Sequence, residues 1–403
     1  MNLEIPKKLL GLTEGAYFVA KTIFRPISRK YDKAEHEYPK ELDIFAAGLR
    51  GATEGGLAVG GAGGDKGMEE ITPKTTTGVR NGGNFSNVLN IQATSYGDVG
   101  LVLTIPGQGL GNAAISAVAN EEQLKRFGKM WAAMAITEPG TGSDSANIKT
   151  TAVKDGDEYI INGEKIYITT GERADCIVVW ATLDRSLGKA AIKSFIVEKG
   201  TPGMRLERLE HKMGIRASDT AAVVFTDCRI PASNLLGDPT INVEKGFAGV
   251  METFDNTRPF VAAFALGVSE AALERTRELL NEKINLDYKT PINNLKAIES
   301  ELIRLEADYE ASRLLTLKAA WMADNKKPNS LEASVCKAKA GRVGNYITLK
   351  CVELCSSLGY TEDELLEKWA RDSKILDIFE GTQQIQQLII ARRILGKSSA
   401  ELK

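Results

Sequence analysis

The stretch Arg371-Asp372-Ser373-Lys374-Ile375-Leu376-Asp377-Ile378-Phe379-Glu380-Gly381-Thr382-Gln383-Gln384 decides how the rest of the chain is read. An apolar run containing Phe379 delivers a carboxylate at Glu380, and Gly381 follows at once. A glycine has no Cβ, so the chain can turn sharply there and a ligand can approach the backbone. Beyond the turn, Ile385, Leu388, Ile389 and Arg392 recur at three- and four-residue spacings, which predicts a helix. A carboxylate on a turn flanked by apolar groups is a candidate general base, because desolvation raises its pKa toward working pH. The competing reading is a solvated glutamate at a helix start, where the dipole favours negative charge. On these residues alone that second reading is the commoner outcome.

Outward from this stretch the helical period extends back to about residue 240. Leu331–Leu358, Leu295–Asn325 and Val261–Asn281 each carry an amphipathic pattern. Residues 131–240 change period. Ala132–Thr137 is a compact apolar run, Thr150–Ala181 alternates as strands do, and Lys193–Glu198 and Ala221–Phe225 read as further strands. Asn162-Gly163 predicts a hairpin turn, since both residues tolerate positive φ. Residues 1–130 read as mostly helical, with an amphipathic surface helix over Lys21–Tyr38 and a short helix over Glu121–Phe127. The glycine-dense stretch Gly51–Gly67 lacks a strand–GxGxxG–helix frame and reads as a connection, as do Gly107, Gly109 and Gly111. The expected organisation is therefore a helical domain over 1–130, a β domain over 131–240 and a helical domain over 241–403.

Composition narrows the function classes. A length of 403 residues is long for one core and suggests about two or three domains. A net charge of -2 gives no electrostatic footprint for nucleic acid or an anionic membrane. Met1–Leu10 has no sustained apolar segment of a secretory signal, and no run approaches a membrane span. Cys176, Cys228, Cys336, Cys351 and Cys355 form no disulfide framework, so a cytoplasmic location is expected. The two histidines, His36 and His211, stand alone in sequence, and Cys351 and Cys355 lack a partner pair, so no metal site is expected. Gly396-Lys397-Ser398 ends like a P-loop, but Ala391 holds the required upstream glycine position. Thr361–Glu364 reads as a solvated loop.

Two further stretches, Ile136-Thr137-Glu138-Pro139-Gly140-Thr141-Gly142-Ser143-Asp144 and Phe254-Asp255-Asn256-Thr257-Arg258-Pro259, stand in register with the first. Together the three resemble the signatures of the acyl-CoA dehydrogenase family. The resemblance covers nearly the whole chain and is weakest before about residue 100. It implies an α+β multidomain fold: a helical N-terminal domain, a middle β domain of barrel or sandwich type, and a C-terminal four-helix bundle. It also implies α,β-dehydrogenation of an acyl-CoA thioester with FAD as hydride acceptor, in fatty-acid β-oxidation, with electron-transfer flavoprotein as the onward acceptor.

The resemblance assigns roles residue by residue. Glu380 matches the α-proton base, and its backbone N–H, with a ribityl hydroxyl of FAD, would bond the thioester carbonyl. Gly381 would allow close substrate approach, and Phe379 stands where tyrosine is usual. Thr257 occupies an alternative base position and, being uncharged, leaves that role to Glu380. FAD contacts carry over to Met134, Ile136, Thr137, Ser143, Tyr167 (where tryptophan is common), Ile168, Thr169, Thr382 and Gln384. Ser143, Asp255, Arg258 and Arg392 match positions around the CoA ester, for which arginine's planar fork is suited.

Two segments depart from the family pattern. An Arg-x-x-Phe-Gly stretch that holds the FAD pyrophosphate corresponds, counted without gaps from Arg258, to Lys283 followed by Ile284-Asn285-Leu286-Asp287-Tyr288. A Gln-x-x-Gly-Gly-x-Gly loop corresponds to Glu353-Leu354-Cys355-Ser356-Ser357-Leu358-Gly359. Lysine keeps the charge but loses the bidentate fork, and glutamate beside a pyrophosphate is unfavourable. Two readings stay open: a homotetramer with loosened FAD, and a hetero-oligomer whose sister subunit supplies the missing residues. A flavin monooxygenase, an acyl-CoA oxidase and a non-catalytic partner on the same fold are the rival functions.

Overall fold

The computed structural model describes residues 3–54, 82–241, 248–398 and 401, with the side chains of 49–54 and 248–256 outside that set. The glycine-dense stretch from Gly55 to Gly67 lies outside the described residues.

The N-terminal region is helical. Helix α1 (Lys7–Val19) runs through a π turn, Ala20–Phe24, into α2 (Arg25–Lys33). Pro26 explains the π turn: it lacks an N–H and its ring crowds the carbonyl one turn earlier. The expected helix over Lys21–Tyr38 therefore begins inside a longer one and stops at Lys33. Then follow α3 (Glu41–Glu54), α4 (Gly83–Ser95), α5 (Val99–Leu103), α6 (Leu110–Val118) and α7 (Glu121–Phe127). Asn120 caps α7 by accepting from the Gln123 N–H at 2.9 Å, and the Gln123 side chain accepts the Asn120 N–H in return.

A mixed sheet follows, built of β1 (Ala132–Ala135), β2 (Thr151–Asp155), β3 (Glu158–Thr169), β4 (Cys176–Thr182), β5 (Ile192–Glu198), β6 (Met204–Leu209) and β7 (Thr220–Pro231). Its order is β1-β4-β2-β3-β7-β6, with β5 paired to β4. The hairpin expected at Asn162-Gly163 is not there. Those residues lie inside β3, where Gly163 sits at φ 151 beside a register shift against β7. The turn falls instead at Gly156, at φ 61, between Asp155 and Glu158, which pair directly. Gly163 serves a bulge because a Cβ there would lie 2.5 Å from the Thr150 hydroxyl.

The C-terminal helices are α8 (Ala248–Leu280), α9 (Ala297–Asp324), α10 (Ser330–Cys355), α11 (Ser357–Tyr360), α12 (Leu366–Ser373) and α13 (Gln383–Leu395). Their core joins Ala265, Val268, Leu305, Cys336, Ile347 and Trp369, and the sheet has its own core around Ile161, Val179, Phe195 and Phe225. Among the described residues no helix is long and apolar enough to cross a membrane.

The regions are tied together by charge. Lys368 on α12 is buried and donates to Asp98, the cap of α5, at 2.7 Å and to Asp372 at 2.5 Å. The other oxygen of Asp372 accepts the backbone N–H of Ile215, from the segment between β6 and β7, at 2.5 Å. Arg371 forks onto Asp32 of α2 at 2.9 and 2.6 Å. Two glycines permit the approach: a Cβ at Gly214 would lie 2.4 Å from the Arg371 carbonyl, and one at Gly341 2.7 Å from that of Leu376. The chain segment leading to Glu380 is thus seated against both of the other regions.

Candidate active site

After α12 a 3-10 turn, Lys374–Asp377, carries the chain to a reversal. Glu380 has φ 53 and Gly381 φ 94. A glutamate in the left-handed region is uncommon and persists only where its surroundings hold it. Here two buried donors do so. Lys337 of α10 donates from Nζ to the Gly381 carbonyl at 2.6 Å, and Gln386 donates from Nε2 to the carbonyls of Glu380 and Gly381, both at 3.1 Å. Thr382 then caps α13, its hydroxyl accepting the Ile385 N–H. Neither Lys337 nor Gln386 was expected from the sequence. Lys337 looks like any helix lysine until α10 is packed, and Gln386 looks like any helix glutamine until the turn before α13 is formed.

The Glu380 carboxylate accepts a hydrogen bond from the Thr257 hydroxyl at 2.6 Å. Thr257 and Arg258 are both buried on α8, immediately before Pro259. Burial raises the Glu380 pKa; the Thr257 bond and the charges of Lys337 and Arg258 pull it back, and the net shift is upward. Burial also brings Lys337 down to about 8, against the pull of Glu380 and Asp377. The result is a half-buried carboxylate with raised proton affinity on a fixed turn, the requirement for a base acting near neutral pH.

Six of the residues expected at the flavin meet where the end of β1 runs beside the end of β3. Met134, Ile136 and Thr137 are half-buried at the end of β1, and the Ile166 N–H donates to the Thr137 carbonyl at 2.9 Å. Tyr167 follows directly, at φ 57 and 62% exposed, with Ile168 buried and Thr169 half-buried. A buried pair fixes this edge: Lys165 donates to Glu138 at 2.8 Å and to the Ile136 carbonyl at 3.1 Å. Glu138 also accepts the N–H groups of Lys149 and Thr150 and the Thr150 hydroxyl. Ser143 and Gln384 are exposed, Arg392 is half-buried on α13, and Phe379 packs on the bundle core. The side chain of Asp255 lies outside the described residues.

Family models match most of the chain. One described as acyl-CoA dehydrogenase, middle domain, covers residues 133–228, and one described as acyl-CoA dehydrogenase, C-terminal domain, covers 244–395. The human mitochondrial short-chain specific acyl-CoA dehydrogenase is 33% identical over 406 residues, spanning 98% of this chain and 92% of that protein. The chain belongs to the acyl-CoA dehydrogenase family. An acryloyl-CoA reductase (NADH) of Anaerotignum propionicum is 38% identical over an alignment spanning 66% of each protein, and the match to the Bos taurus short-chain specific enzyme spans 62% of that enzyme. Among solved structures, butyryl-CoA dehydrogenase of Megasphaera elsdenii superposes with a TM-score of 0.82 at 28% identity, covering 98% of this chain and 100% of that one. A chain from a structure of the electron transferring flavoprotein of Acidaminococcus fermentans gives 0.83 at 31%, with the same coverage.

Membership in the acyl-CoA dehydrogenase family brings FAD as the cofactor. The strand edge fits its ring system. An exposed tyrosine face stands beside half-buried Thr137, and Trp180 packs against Met134 and Ile136 with its indole N–H unpartnered among the described residues. The segments expected at the pyrophosphate are less accommodating. Ser356 keeps a backbone conformation suited to glycine, φ 54 and ψ -129, yet carries a side chain, and a Cβ at Gly359 would lie 2.5 Å from the Val352 carbonyl. Glu353 is exposed and paired with Lys350 at 2.6 Å, while Lys283 is exposed and its carbonyl accepts from Lys296.

Proposed function

We propose that this chain is an acyl-CoA dehydrogenase acting on a short acyl-CoA thioester, with Glu380 removing the α proton. The observation that carries the proposal is the Glu380 carboxylate: raised in pKa by burial, bonded by Thr257, and fixed on a left-handed turn by Lys337 and Gln386. FAD, when bound, would supply the acceptor for the hydride that leaves the β carbon. Glu380 takes the α proton, and its backbone N–H would bond the thioester oxygen as charge develops there. Tyr167 and the 134–137 edge would hold the flavin ring, Thr382 and Gln384 would reach it from α13, and Arg258 would support the base from α8. The names of the relatives supply the short-chain assignment. Electron transfer flavoprotein is the proposed acceptor, and the exposed apolar side chains of Leu388, Ile394 and Leu395 on α13 support an oligomer.

A second reading draws on Ser356 and Glu353. A chain whose glycine-type loop carries serines is suited to a hetero-oligomer in which a sister subunit supplies the grip on the pyrophosphate. The test is anaerobic mixing of the flavin-loaded chain with butyryl-CoA. Bleaching of the visible flavin band that is lost in Glu380→Gln, with flavin retained, supports the proposal. Bleaching unchanged in that variant removes Glu380 as base. Flavin bound only in the presence of a second polypeptide selects the hetero-oligomer.

A further inference from the structure

The chain has only two histidines, and the fold brings them together. Far apart in sequence, they meet where the segment after α2 touches the segment after β6, and their ring centroids are 5.0 Å apart. The expectation that each stands alone is thereby corrected: the contact is tertiary, and neither segment carries a ligand spacing of its own. Beside the two rings lies Glu35, its side chain 7% exposed and one of its oxygens 2.9 Å from His211 Nδ1. One donor atom from each of Glu35, His36 and His211 lies within 4.8 Å of the other two.

His36 makes this more than a chance contact. Its backbone lies at φ 72, and its ring packs against that of His211. Both of its ring nitrogens are buried, and among the described residues neither has a hydrogen-bond partner. A buried polar atom without a partner carries a desolvation cost that a coordinate bond would remove.

We propose that Glu35, His36 and His211 form a binding site for a divalent transition-metal ion of the zinc class. Two imidazoles and one carboxylate select Zn2+, Co2+, Ni2+ or Cu2+ over Mg2+ and Ca2+, which prefer oxygen. Ligand bonds of about 2.0–2.2 Å require the donors to draw closer, and His211, whose side chain is 83% exposed, has the freedom to do so. The charges around the site oppose a dication and limit its affinity. Arg216 approaches Glu35 at 3.4 Å, Lys212 donates its N–H to Glu35 and its ammonium to the Ser218 carbonyl, and Arg173 donates to the carbonyls of His36 and Glu37. Arg173 is balanced by Asp219 at 3.2 Å. The same segment continues into Gly214 and Ile215, which seat Arg371 and Asp372, so a bound ion would staple the N-terminal helices to the sheet beside the support of α12.

The experiment uses the full chain without an affinity tag, stripped with chelator, and titrated with Zn2+ against a chromophoric competitor. The expected result is one Zn2+ per chain and a raised melting temperature. His211→Ala, on an exposed side chain, and His36→Asn, a residue that tolerates the left-handed backbone, each weaken binding by about tenfold or more and abolish the thermal shift. Zn2+ binding of equal affinity in the His36→Asn/His211→Ala double variant overturns the site. So does the absence of any competition by the wild-type chain, or an equal thermal shift with Mg2+.

Discussion

Lys337 Nζ lies 2.6 Å from the carbonyl oxygen of Gly381, so the residue after the candidate base is held by a lysine from the middle of α10. That ammonium is nearly fully buried. It anchors the turn, and its charge is also among those that hold the Glu380 pKa below where burial alone would set it. One side chain therefore contributes to both the place and the proton affinity of the carboxylate.

Replacing Lys337 by methionine separates those effects from stability. Burial depresses the lysine to about 8, so its charge is a cost to the folded state below that pH, relieved as pH rises toward the unfolded value. The Gly381 carbonyl keeps its bond from Gln386 in the variant. Stability by urea denaturation is expected to change by less than about 1.5 kcal/mol. The rate of flavin reduction by substrate is expected to fall about 10- to 100-fold, because a displaced base loses near-attack geometry. The limb of the pH–rate profile assigned to Glu380 should also move up, which a purely structural lysine would not cause.

Thr257 gives a second handle on the same group. Its hydroxyl stabilises the ionised carboxylate, so Thr257→Val is expected to raise the pH at which activity appears by about one unit. Linkage fixes the sign for stability. The Glu380 pKa is higher folded than unfolded, so its contribution is present below the unfolded value and lost as pH rises through the folded one. Comparing unfolding free energies of the wild type and Glu380→Gln across that window checks this: the variant should lack the decline.

Glu138 and Lys165 form a buried pair that carries the backbone of Ile136. Burial pushes the Glu138 carboxyl up, but Lys165, Thr150 and the Lys149 N–H outweigh it and the net shift is down. Its stabilisation is thus present above the unfolded pKa and fades as pH falls through the folded one. Lys165→Met alone leaves a buried carboxylate uncompensated and is expected to cost about 3–5 kcal/mol. Adding Glu138→Gln should restore part of that loss, since glutamine carries no charge to strand. A double-mutant cycle by chemical denaturation measures the coupling, and flavin content per chain reports whether the Thr137 edge moved.

These residues mark what the sequence could and could not convey. Glu380 and Gly381 stood out because an apolar run, a carboxylate and a glycine are adjacent in the chain, but those residues alone favoured a solvated helix start, and only the two further stretches in register with them pointed to a base. The helices of the bundle were legible locally, through their period. The hairpin was misplaced because Asn162-Gly163 and Gly156 both satisfy local turn chemistry, and only the pairing of β3 with β7 turns the first into a bulge. Lys337, the Lys368 triad and the His36–His211 contact were invisible because each depends on elements meeting across the fold. A polar side chain inside an amphipathic helix announces solvent until its partner is known.

Ser356 tests the departure that most affects the functional reading. Its φ of 54 and ψ of -129 belong to the region that glycine occupies freely and other residues at a cost of about 1–3 kcal/mol. Glycine at this position also costs unfolded-state entropy, so the net stabilisation expected for Ser356→Gly is about 1 kcal/mol, read as a higher urea midpoint. Adding Ser357→Gly opens the loop further, both residues being exposed. If this loop faces the pyrophosphate of an FAD bound by two copies of the chain, the double variant retains more flavin through dialysis than the wild type. If a sister subunit supplies that grip, the urea midpoint still rises, but flavin retention by the chain alone stays where it was.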